Sequence, residues 1–404
     1  MSKWNRKIWA AILAVGMTAS LTACGGSKGE NSNASAAGTQ NETAIVQDES
    51  TDSNTDSTGS TTSLVQDNRV LQIPDDNYRT YYELFVYSFY DSDGDGIGDL
   101  QGVLEKLDYL NDGDDTTDMD LGINGIWLMP VMPSVTYHKY DTTDYENIDP
   151  QYGTLETFQE LLTACHDRGI RVILDLAMNH SSSSHPWFQQ AAEYLKSLPE
   201  GAEPDSSECP YVDYYHFSRE YQGGYAQLDG TAWYYEARFW DGMPDLNLEN
   251  EAVRREFEQI ADFWLDMGVD GFRLDAVKEY VTGSTEGNVE ILSWFADYVH
   301  GKDPENYLVC ECWTDQNTYA KYYESGVDSM FDFAFADKSG IIANVMNGKA
   351  SATSYAKNLE TEQGMYAQYN PDYINAPFYT NHDMGRSAGY YAGENSEAQT
   401  KMGN

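Results

Sequence analysis

Acidic side chains end or follow several apolar runs of the chain, at positions where carboxyl groups are available for catalysis. Asp175 lies in the run RVILDL, Asp275 closes VDGFRLD, and Glu311 lies in YLVCEC. Asp383 closes the triplet NHD, which follows the run INAPFYT. Carboxyl groups that converge on one pocket can divide the roles of acid, base and nucleophile between them. The pattern therefore predicts an enzyme that works with several carboxylic acids.

Three amphipathic helices, each followed by an apolar strand, must position these acids. The predicted helices cover 155–168, 251–267 and 289–299, and the strands cover 171–176, 269–275 and 307–312. Strands that are apolar on both faces and alternate with helices are typical of a parallel sheet in an α/β fold. A barrel and an open doubly wound sheet both fit this pattern. No glycine-rich phosphate loop follows the first strand, which disfavours the open sheet.

The carboxyl ends of barrel strands meet at one face, where barrel enzymes hold their active sites. We therefore expect a (β/α)8 TIM-type barrel, its first part in residues 69–180 and its second part in 250–404. The long connection after the third strand predicts a small inserted domain, residues 181–249, over the active site. We count seven strands, the last leading into NHD, and expect the chain to stop before the eighth strand.

Four motifs resemble those of the α-amylase superfamily, glycoside hydrolase family 13, over a span from about residue 78 to the end. They are DLAMNH from Asp175, GFRLD ending at Asp275, Glu311, and NHD ending at Asp383. The resemblance implies a retaining hydrolase with Asp275 as nucleophile, Glu311 as general acid and base, and Asp383 as transition-state stabiliser. Glu311 lies in an apolar strand, which should raise its pKa and keep its proton available.

The same resemblance implies a group of residues around the sugar that is cleaved: Tyr140, Asp141, Asp175, His180, Arg273, Lys278 and His382. Tyr140 and Asp141 match a segment that stacks on and anchors this sugar, and the two histidines hydrogen-bond its hydroxyls. Arg273 would pair with the nucleophile and keep it ionised. Lys278 is similar to a lysine that many α-amylases use on the leaving-group side.

The resemblance also bears on which glycosidic bond is cleaved. The segment MPDLN, residues 243–247, resembles a motif of enzymes intermediate between oligo-1,6-glucosidases and neopullulanases. Ala276 follows the implied nucleophile; in the family, Val there goes with α-1,6 cleavage and smaller side chains go with α-1,4 cleavage. We expect α-1,4 hydrolysis of starch-derived malto-oligosaccharides. The alternatives are an exo-acting α-glucosidase or oligo-1,6-glucosidase, a 4-α-glucanotransferase, and a surface glucan-binding lipoprotein without turnover.

The segment DSDGDGIGD, residues 91–99, places oxygen ligands at alternate positions, as calcium loops do. It departs from an EF-hand because its twelfth position is Gly102 and a strand-like run precedes it. It resembles the first-strand calcium loop of the oligo-1,6-glucosidase branch of the family. That resemblance implies Ca²⁺ held by Asp91, Asp93, Asp95, the carbonyl of Ile97, and Asp99.

The N-terminus resembles a bacterial lipoprotein signal. Residues 1–24 combine a positive start with a short apolar run and end in LTAC, so cleavage would leave Cys24 as the lipidated residue. Residues 25–68 are rich in Ser, Thr, Asn and Gly and predict a flexible tether. We expect an extracellular, cell-surface lipoprotein that touches the membrane only through its anchor.

Composition limits the partners. The chain has 66 acidic and 24 basic residues and a formal net charge of −42, which argues against nucleic-acid binding and suits a neutral glucan. The cysteines beyond the signal show no zinc-type spacing and are expected to be buried thiols. The sequence leaves the oligomeric state open.

Overall fold

The computed structural model describes residues 74–336 and 338–385 of the 404-residue chain. The predicted signal segment 1–24, its lipidation site Cys24 and the predicted tether 25–68 lie outside the described residues, as do residues 386–404. Of the helices within the described ranges, none is long and apolar enough to cross a membrane.

The strands of the described residues build one large parallel sheet and one small antiparallel sheet. In chain order they are β1 (Tyr81–Leu84), β2 (Gly125–Leu128), β3 (Arg171–Leu176), β4 (Phe217–Ser218), β5 (Tyr225–Gln227), β6 (Tyr234–Glu236), β7 (Gly271–Leu274), β8 (Tyr307–Cys310), β9 (Ser329–Asp332) and β10 (Ile374–Pro377). The large sheet has the order β1-β2-β3-β7-β8-β9-β10, with every neighbouring pair parallel. The predicted TIM-type α/β fold is confirmed.

Helices connect the strands of this sheet along the chain. They are α1 (Val86–Phe89), α2 (Leu100–Glu105), α3 (Leu107–Leu110), α4 (Leu155–His166), α5 (Pro186–Ser197), α6 (Glu251–Asp266), α7 (Thr285–Lys302), α8 (Gln316–Ala320), α9 (Ile341–Met346) and α10 (Ala352–Tyr366). Sequence signals set their ends. The side chain of Thr154 caps α4 and that of Asn250 caps α6, while Gly169 and Gly268 stop the same helices with positive φ angles.

Side chains alternate between the two faces of the large sheet. One face packs against the helices and buries Ile126, Val172, Phe272 and Leu308. Their neighbours along each strand form a separate cluster on the concave side: Trp127, Ile173, Tyr307 and Val309. The sheet is a curled half-barrel, and the side chains of this inner layer line a cavity of about 560 Å³.

The seven strands of the large sheet agree with the number counted from the sequence. Within the described ranges, β1 and β10 stand at the two ends of the sheet order, and no eighth strand is present in those ranges.

Residues 181–249, which we call the 181–249 unit, connect β3 to α6 and pack into the same hydrophobic core as the large sheet. The unit contains α5 and the antiparallel sheet β4-β6-β5. One isolated bridge, His180 to Asp245, ties its end to the residues that follow β3, and a second bridge, Tyr215 to Leu246, lies within it. This unit thereby stands at the carboxyl end of β3, where the acidic residues lie.

Several element boundaries differ from the sequence prediction. The strand-like run before the acidic loop ends at Leu84, and its continuation is the helical turn α1. The helix predicted from 289 begins at Thr285, because the side chain of Ser284 caps it by accepting from Gly287 N. The strands predicted to end at 275 and 312 stop at Leu274 and Cys310. The acids that follow them, Asp275 and Glu311, still donate their backbone amides to the neighbouring strands, at Leu176 O and Leu274 O, and stand at the carboxyl end of the sheet.

Candidate active site

A cleft of about 410 Å³ opens at the carboxyl end of the large sheet. Its titratable lining groups are His138, His180, Asp275, Glu311, His382 and Asp383. Its walls are mostly aromatic and thioether side chains: Phe85, Met129, Tyr137, Tyr140, Phe239, Trp240 and Met243. The structure therefore brings the three predicted catalytic carboxyl groups to one cavity.

The Arg273 guanidinium lies beneath this cleft and is almost fully buried. Its Nη1 donates to Asp275 Oδ1 at 2.7 Å and to Asp175 Oδ1 at 2.8 Å. Its Nη2 donates to Glu311 Oε2. A buried cation of this kind compensates the charges of several carboxylates that would otherwise repel one another.

Asp175 receives further donors besides Arg273. The hydroxyl of Tyr140 donates to Asp175 Oδ2 at 2.8 Å, and the indole Nε1 of Trp127 donates to the same oxygen at 3.1 Å. Burial raises the pKa of Asp175 to about 6, and the charge of the Arg273 guanidinium opposes this shift. The sheet register explains the pair, since Asp175 and Arg273 stand opposite each other in β3 and β7.

Glu311 and Asp383 have different surroundings. Burial and the charges of Asp275 and Asp383 raise the pKa of Glu311 from 4.5 to about 7, although the Arg273 guanidinium opposes the shift. Glu311 is thus the one acid of the cleft whose raised pKa keeps a proton available near neutral pH. Asp383 is about half exposed, and one of its oxygens lies 3.4 Å from His382 Nε2.

His382 is held by Glu83 of β1 and by Tyr140 of the loop that follows β2. Its Nδ1 lies 2.6 Å from Glu83 Oε1 in β1, and its ring stacks on that of Tyr140 with centroids 5.6 Å apart. Burial lowers the pKa of His382, but the Glu83 hydrogen bond and the charge of Asp383 outweigh burial and raise it overall. Its Nε2 faces the Tyr140 hydroxyl at 3.1 Å, so both groups border the same part of the cleft.

His180 is a buried group with an unused nitrogen. Among the described residues, its Nε2 has no hydrogen-bond partner. Burial lowers the pKa of His180, so the ring is neutral at pH 7. The neighbouring Asn179 donates to Asp245 Oδ1 at 3.2 Å, which ties this strand end to the 181–249 unit. A neutral, fixed imidazole with a free nitrogen is suited to hydrogen-bond a ligand hydroxyl.

The Asp141 carboxylate has one oxygen that accepts hydrogen bonds and one that has no partner among the described residues. Its Oδ1 accepts from Ser134 Oγ at 2.5 Å and from Thr136 Oγ1, whereas the buried Oδ2 has no partner among the described residues. The preceding Lys139 adopts a left-handed backbone with φ 66° and is buried, with its Nζ 2.6 Å from Asp149 Oδ2. This buried ion pair fixes the turn that aims Tyr140 and Asp141.

Two other residues singled out in the sequence lie near the nucleophile position. Ala276 lines the cleft and has a left-handed backbone with φ 45° and ψ 43°. Lys278 is exposed, does not line the cleft, and lies with its Nζ 3.3 Å from Glu279 Oε1. The structure therefore does not bring Lys278 together with the carboxyl groups.

The acidic loop after β1 gathers part of the predicted ligand set. Asp91, Asp93 and Asp99 each offer a carboxylate oxygen, and these oxygens lie within 4.8 Å of one another. Asp95 lies outside this group, and its Oδ1 accepts from the Ile97 amide at 2.7 Å. Three hard oxygen donors so close together fit the chemistry of a Ca²⁺ ion.

Trp127 and Glu83 are among the residues of the site that the sequence reasoning missed. Trp127 donates to Asp175 and lies under the Arg273 guanidinium, 4.9 Å from ring centroid to Cζ. A tryptophan in an apolar strand is most often a core residue, so the sequence does not indicate that Trp127 contacts Asp175 and Arg273. The sequence does indicate a role for Glu83, because it is the single charged residue in the apolar run YYELFV.

The curled parallel sheet and the carboxyl groups at its carboxyl end are those of a (β/α)-barrel glycoside hydrolase. A family model described as the catalytic domain of α-amylase matches residues 83–404. The chain therefore belongs to the α-amylase family, and the membership expected from its motifs is confirmed.

Individual relatives agree with this membership. The chain is 41% identical over 319 residues to Alpha-amylase 3 of Dictyoglomus thermophilum, an alignment that covers 78% of this chain and 58% of the relative. It is 35% identical over 247 residues to an oligo-1,6-glucosidase of Parageobacillus thermoglucosidasius, covering 56% and 40% of the two chains. The solved structure of Amy13B from Eubacterium rectale shares 56% identity at a TM-score of 0.78, covering 83% and 64%. The chain thus spans less than two thirds of the length of these relatives.

Proposed function

We propose that this chain is the catalytic part of a retaining hydrolase that cleaves α-1,4-glucosidic bonds in malto-oligosaccharides. The observation that carries the proposal is the arrangement of Asp275 and Glu311, which line one cleft and share the guanidinium of Arg273. Two carboxyl groups on one guanidinium are held close together, as the separation of about 5 Å in retaining enzymes requires.

In the first step, Glu311 donates its proton to the glycosidic oxygen while Asp275 attacks the anomeric carbon. The bond to the leaving sugar breaks, and a covalent glycosyl ester forms on Asp275. In the second step, Glu311 takes a proton from water, whose oxygen attacks the same carbon and releases Asp275. The raised pKa of Glu311, about 7, suits a group that gives and regains a proton near neutral pH.

The surrounding groups hold the sugar. His180 Nε2 and Asp141 Oδ2 are buried polar atoms without partners among the described residues, and sugar hydroxyls would satisfy them. Tyr140 and His382 stack on each other at the edge of the cleft and present an aromatic wall. Asp383, exposed at the mouth, is placed to accept hydrogen bonds from hydroxyls that tighten in the transition state.

Ala276 supports α-1,4 cleavage, because it leaves room beside the nucleophile position. The likeness to an oligo-1,6-glucosidase supports α-1,6 cleavage as the second candidate. A 4-α-glucanotransferase would use the same covalent step and pass the glucosyl group to a sugar instead of water. A glucan-binding protein without turnover would not need all three acids that this cleft holds.

Product analysis tests the proposal and separates the candidates. Digests of maltoheptaose, maltotriose and isomaltose are followed over time, and proton NMR records the anomer that is released first. We expect the α-anomer of shorter maltodextrins. Products longer than the substrate would indicate transfer, cleavage of isomaltose alone would indicate the α-1,6 activity, and a first-formed β-anomer would contradict the retaining mechanism.

A calcium site belongs to the same proposal. Asp91, Asp93 and Asp99 would hold the ion, and its charge would offset the repulsion between them. The Asp99 carboxylate also caps α2 by accepting from Gly102 N at 2.6 Å, so the ion would stabilise the start of that helix. Asp95 and the Ile97 carbonyl remain predicted ligands.

We also propose that the protein is a lipoprotein on the outer surface of a bacterial cell, anchored through Cys24. The signal-like residues 1–24 support this location. Incorporation of a labelled fatty acid by the expressing bacterium, and its loss in Cys24→Ser, would test the proposal. Equal labelling of the two proteins would contradict it.

A further inference from the structure

Glu83 is the one charged side chain of β1, and it does not line the catalytic cleft. The only hydrogen-bond or ion-pair partner of its carboxylate among the described residues is His382, whose Nδ1 lies 2.6 Å from Glu83 Oε1. His382 does line the cleft, together with Tyr140 and Asp383. Glu83 can therefore act on a ligand of the cleft only through the His382 ring.

The contacts of the His382 ring show where its protons lie. An ionised carboxylate only accepts hydrogen bonds, so Nδ1 carries a proton that it donates to Glu83. On the other side of the ring, Nε2 lies 3.1 Å from the Tyr140 hydroxyl and 3.4 Å from Asp383 Oδ2. The single proton of the Tyr140 hydroxyl goes to Asp175 Oδ2 at 2.8 Å, so the Tyr140 oxygen can only accept from His382. An imidazole that faces acceptors at both nitrogens is doubly protonated.

Two aromatic side chains fix the position of this ring. Tyr140 stacks on its face at an interplanar angle of 19°, with centroids 5.6 Å apart. Trp127 packs edge-on against it, with centroids 5.9 Å apart. Because the ring is held from both directions, Nδ1 stays on Glu83 and Nε2 stays on the side of Tyr140 and Asp383.

The charges around His382 come from several elements. The titratable and charged groups that act on it or respond to it are Glu83, His138, Tyr140, Asp175, Arg273, Glu311 and Asp383. Arg273 already pairs with two of these acids, which leaves Glu83 and Asp383 as the acids in contact with His382. Burial lowers the pKa of His382, but the Glu83 hydrogen bond and the charge of Asp383 raise it overall, against the charge of Arg273. The charges thus favour the same doubly protonated ring as the hydrogen bonds.

We propose that Glu83 is a positioning residue that holds His382 as an imidazolium, so that the ring presents a charged N–H donor to the sugar in the cleft. The inference rests on the proposed function and assigns a role in it to a strand residue outside the cleft. A charged donor forms stronger hydrogen bonds than a neutral one. In a neutral ring with its proton on Nδ1, Nε2 would be an acceptor facing Tyr140 and Asp383, and the donor would be lost.

The titration of His382, followed by NMR of protein that contains isotope-labelled histidine, tests the role of Glu83 directly. The chain has 7 histidines, and His382→Asn identifies the signal of His382. In Glu83→Gln, the amide oxygen can still accept from Nδ1, but the negative charge is removed. The titration midpoint of His382 should lie above 6.5 in the wild-type protein and about one pH unit lower in Glu83→Gln. Glu83→Asp, which keeps the charge, should stay closer to the wild-type midpoint.

The pH profile of kcat/KM on maltoheptaose tests whether the imidazolium serves the reaction. The sign follows from its role, because the charged donor is lost when His382 deprotonates. The alkaline limb of the profile should therefore begin at a lower pH in Glu83→Gln than in the wild-type protein. A purely structural role of Glu83 would lower the rate by the same factor at every pH. Thermal melts across the pH range show that the variant remains folded.

Asp328→Asn is the matched control, because it removes the charge from another pair of an acid and a histidine. Asp328 Oδ2 lies 3.0 Å from His300 Nε2, at the amino end of β9 and therefore at the end of the sheet opposite to the cleft. The Asp328 hydrogen bond raises the pKa of His300, as the Glu83 hydrogen bond raises that of His382. Asp328→Asn should lower the titration midpoint of His300 and leave the position of the alkaline limb unchanged.

Equal titration midpoints of His382 in the wild-type protein and in Glu83→Gln would overturn the role of Glu83. A lowered midpoint with an unchanged or uniformly lowered pH profile would overturn the part of the imidazolium in the reaction. Absence of all turnover in the wild-type protein would overturn the proposed function instead. The NMR titration needs no turnover, so it still decides in that event whether Glu83 holds His382 as an imidazolium.

Discussion

Arg273 explains why neighbouring carboxyl groups of the same cleft can have different chemistry. It contacts Asp175, Asp275 and Glu311 through two nitrogens, and all three acids are buried. Asp175 also accepts from the Tyr140 hydroxyl and the Trp127 indole, and these donors favour its charged form against the burial that raises its pKa. Glu311 has no second donor among the described residues, so burial and its acidic neighbours dominate and favour its protonated form.

Activity should therefore fall as the pH rises through the pKa of Glu311, about 7. The sign follows from its role, because the proton that it donates is lost above that pKa. The measurement is a pH profile of kcat/KM on maltoheptaose for the wild-type protein. Glu311→Gln should lower turnover by several orders of magnitude and remove this alkaline limb from the residual rate. An identical limb in Glu311→Gln would assign the pKa to another group.

Ala276→Val should raise the ratio of isomaltose to maltose cleavage. The added methyl groups narrow the cleft beside Asp275, and one or two methyl groups redirect specificity by about 1–3 kcal/mol at most. The left-handed backbone at position 276 disfavours a β-branched residue, so we also expect a lower melting temperature. Ala276→Gly is the control, since it relaxes the backbone without filling the cleft. An unchanged ratio in the valine variant would place the choice of linkage elsewhere.

The inner face of the sheet shows why the acids were predictable and their supports were not. Ile173 and Val309 lie on the inner face of the sheet. Asp175 follows Ile173 by two residues and Glu311 follows Val309 by two residues, so both acids lie on that same face. A carboxylate that continues an apolar alternating series is visible in the sequence. Trp127 lies in an apolar strand and is itself large and apolar, so it does not interrupt the apolar pattern. Only the structure shows that it donates to a carboxylate.

At the scale of elements, the ends of α4 and α6 were predicted to within two residues because they depend on local groups, whereas α7 begins four residues before and ends three residues after the predicted range 289–299. Capping side chains and positive-φ glycines set the limits of α4 and α6. Strand ends were less predictable, since pairing with neighbours decides them. The run VDGFRLD forms a strand only over Gly271–Leu274, although the amide of Asp275 still donates to Leu176 O at 3.3 Å.

The acidic loop between α1 and α2 yields a prediction of its own. Ca²⁺ should raise the melting temperature of the protein, and Asp93→Ala should abolish the response. An ion that binds only the folded state at a hundredfold excess over its Kd stabilises by about 3 kcal/mol. Differential scanning calorimetry in calcium and in chelator measures the effect. Asp118→Ala, an exposed acid outside the group of three, should keep the full response. Equal melts of the wild-type protein in both buffers would contradict the site.

At the scale of the whole molecule, the net charge of −42 dominates the surface. The negative electrostatic potential of such a surface repels anions but does not change the association rate of a neutral ligand. The value of kcat/KM for maltoheptaose should therefore change less than about twofold between low and high salt at constant calcium. A carboxymethylated maltodextrin should be cleaved much more slowly at low salt and recover as salt is added. A strong salt effect on the neutral substrate would show that charge steering contributes to its binding.

The arrangement of the sheet could also be predicted at this scale, because seven apolar strands alternate with helices along the chain. The internal structure of residues 181–249 could not. Its strands are two or three residues long, too short for a periodic pattern, and its place beside the cleft depends on bridges such as His180 to Asp245. Trp240, which is 44% exposed, lines the cleft because residues 181–249 lie beside it.

Covalent trapping tests the central claim most directly. A fluorinated α-glucosyl donor slows release of the glycosyl group, and peptide mass spectrometry then locates the label. Asp275 lies beside Glu311 on the shared guanidinium, so the peptide that contains Asp275 should carry one glucosyl group. Asp275→Asn should fold normally, turn over several orders of magnitude more slowly and remain unlabelled. A label on Glu311 or Asp383, or no covalent adduct with active wild-type protein, would contradict the proposed mechanism.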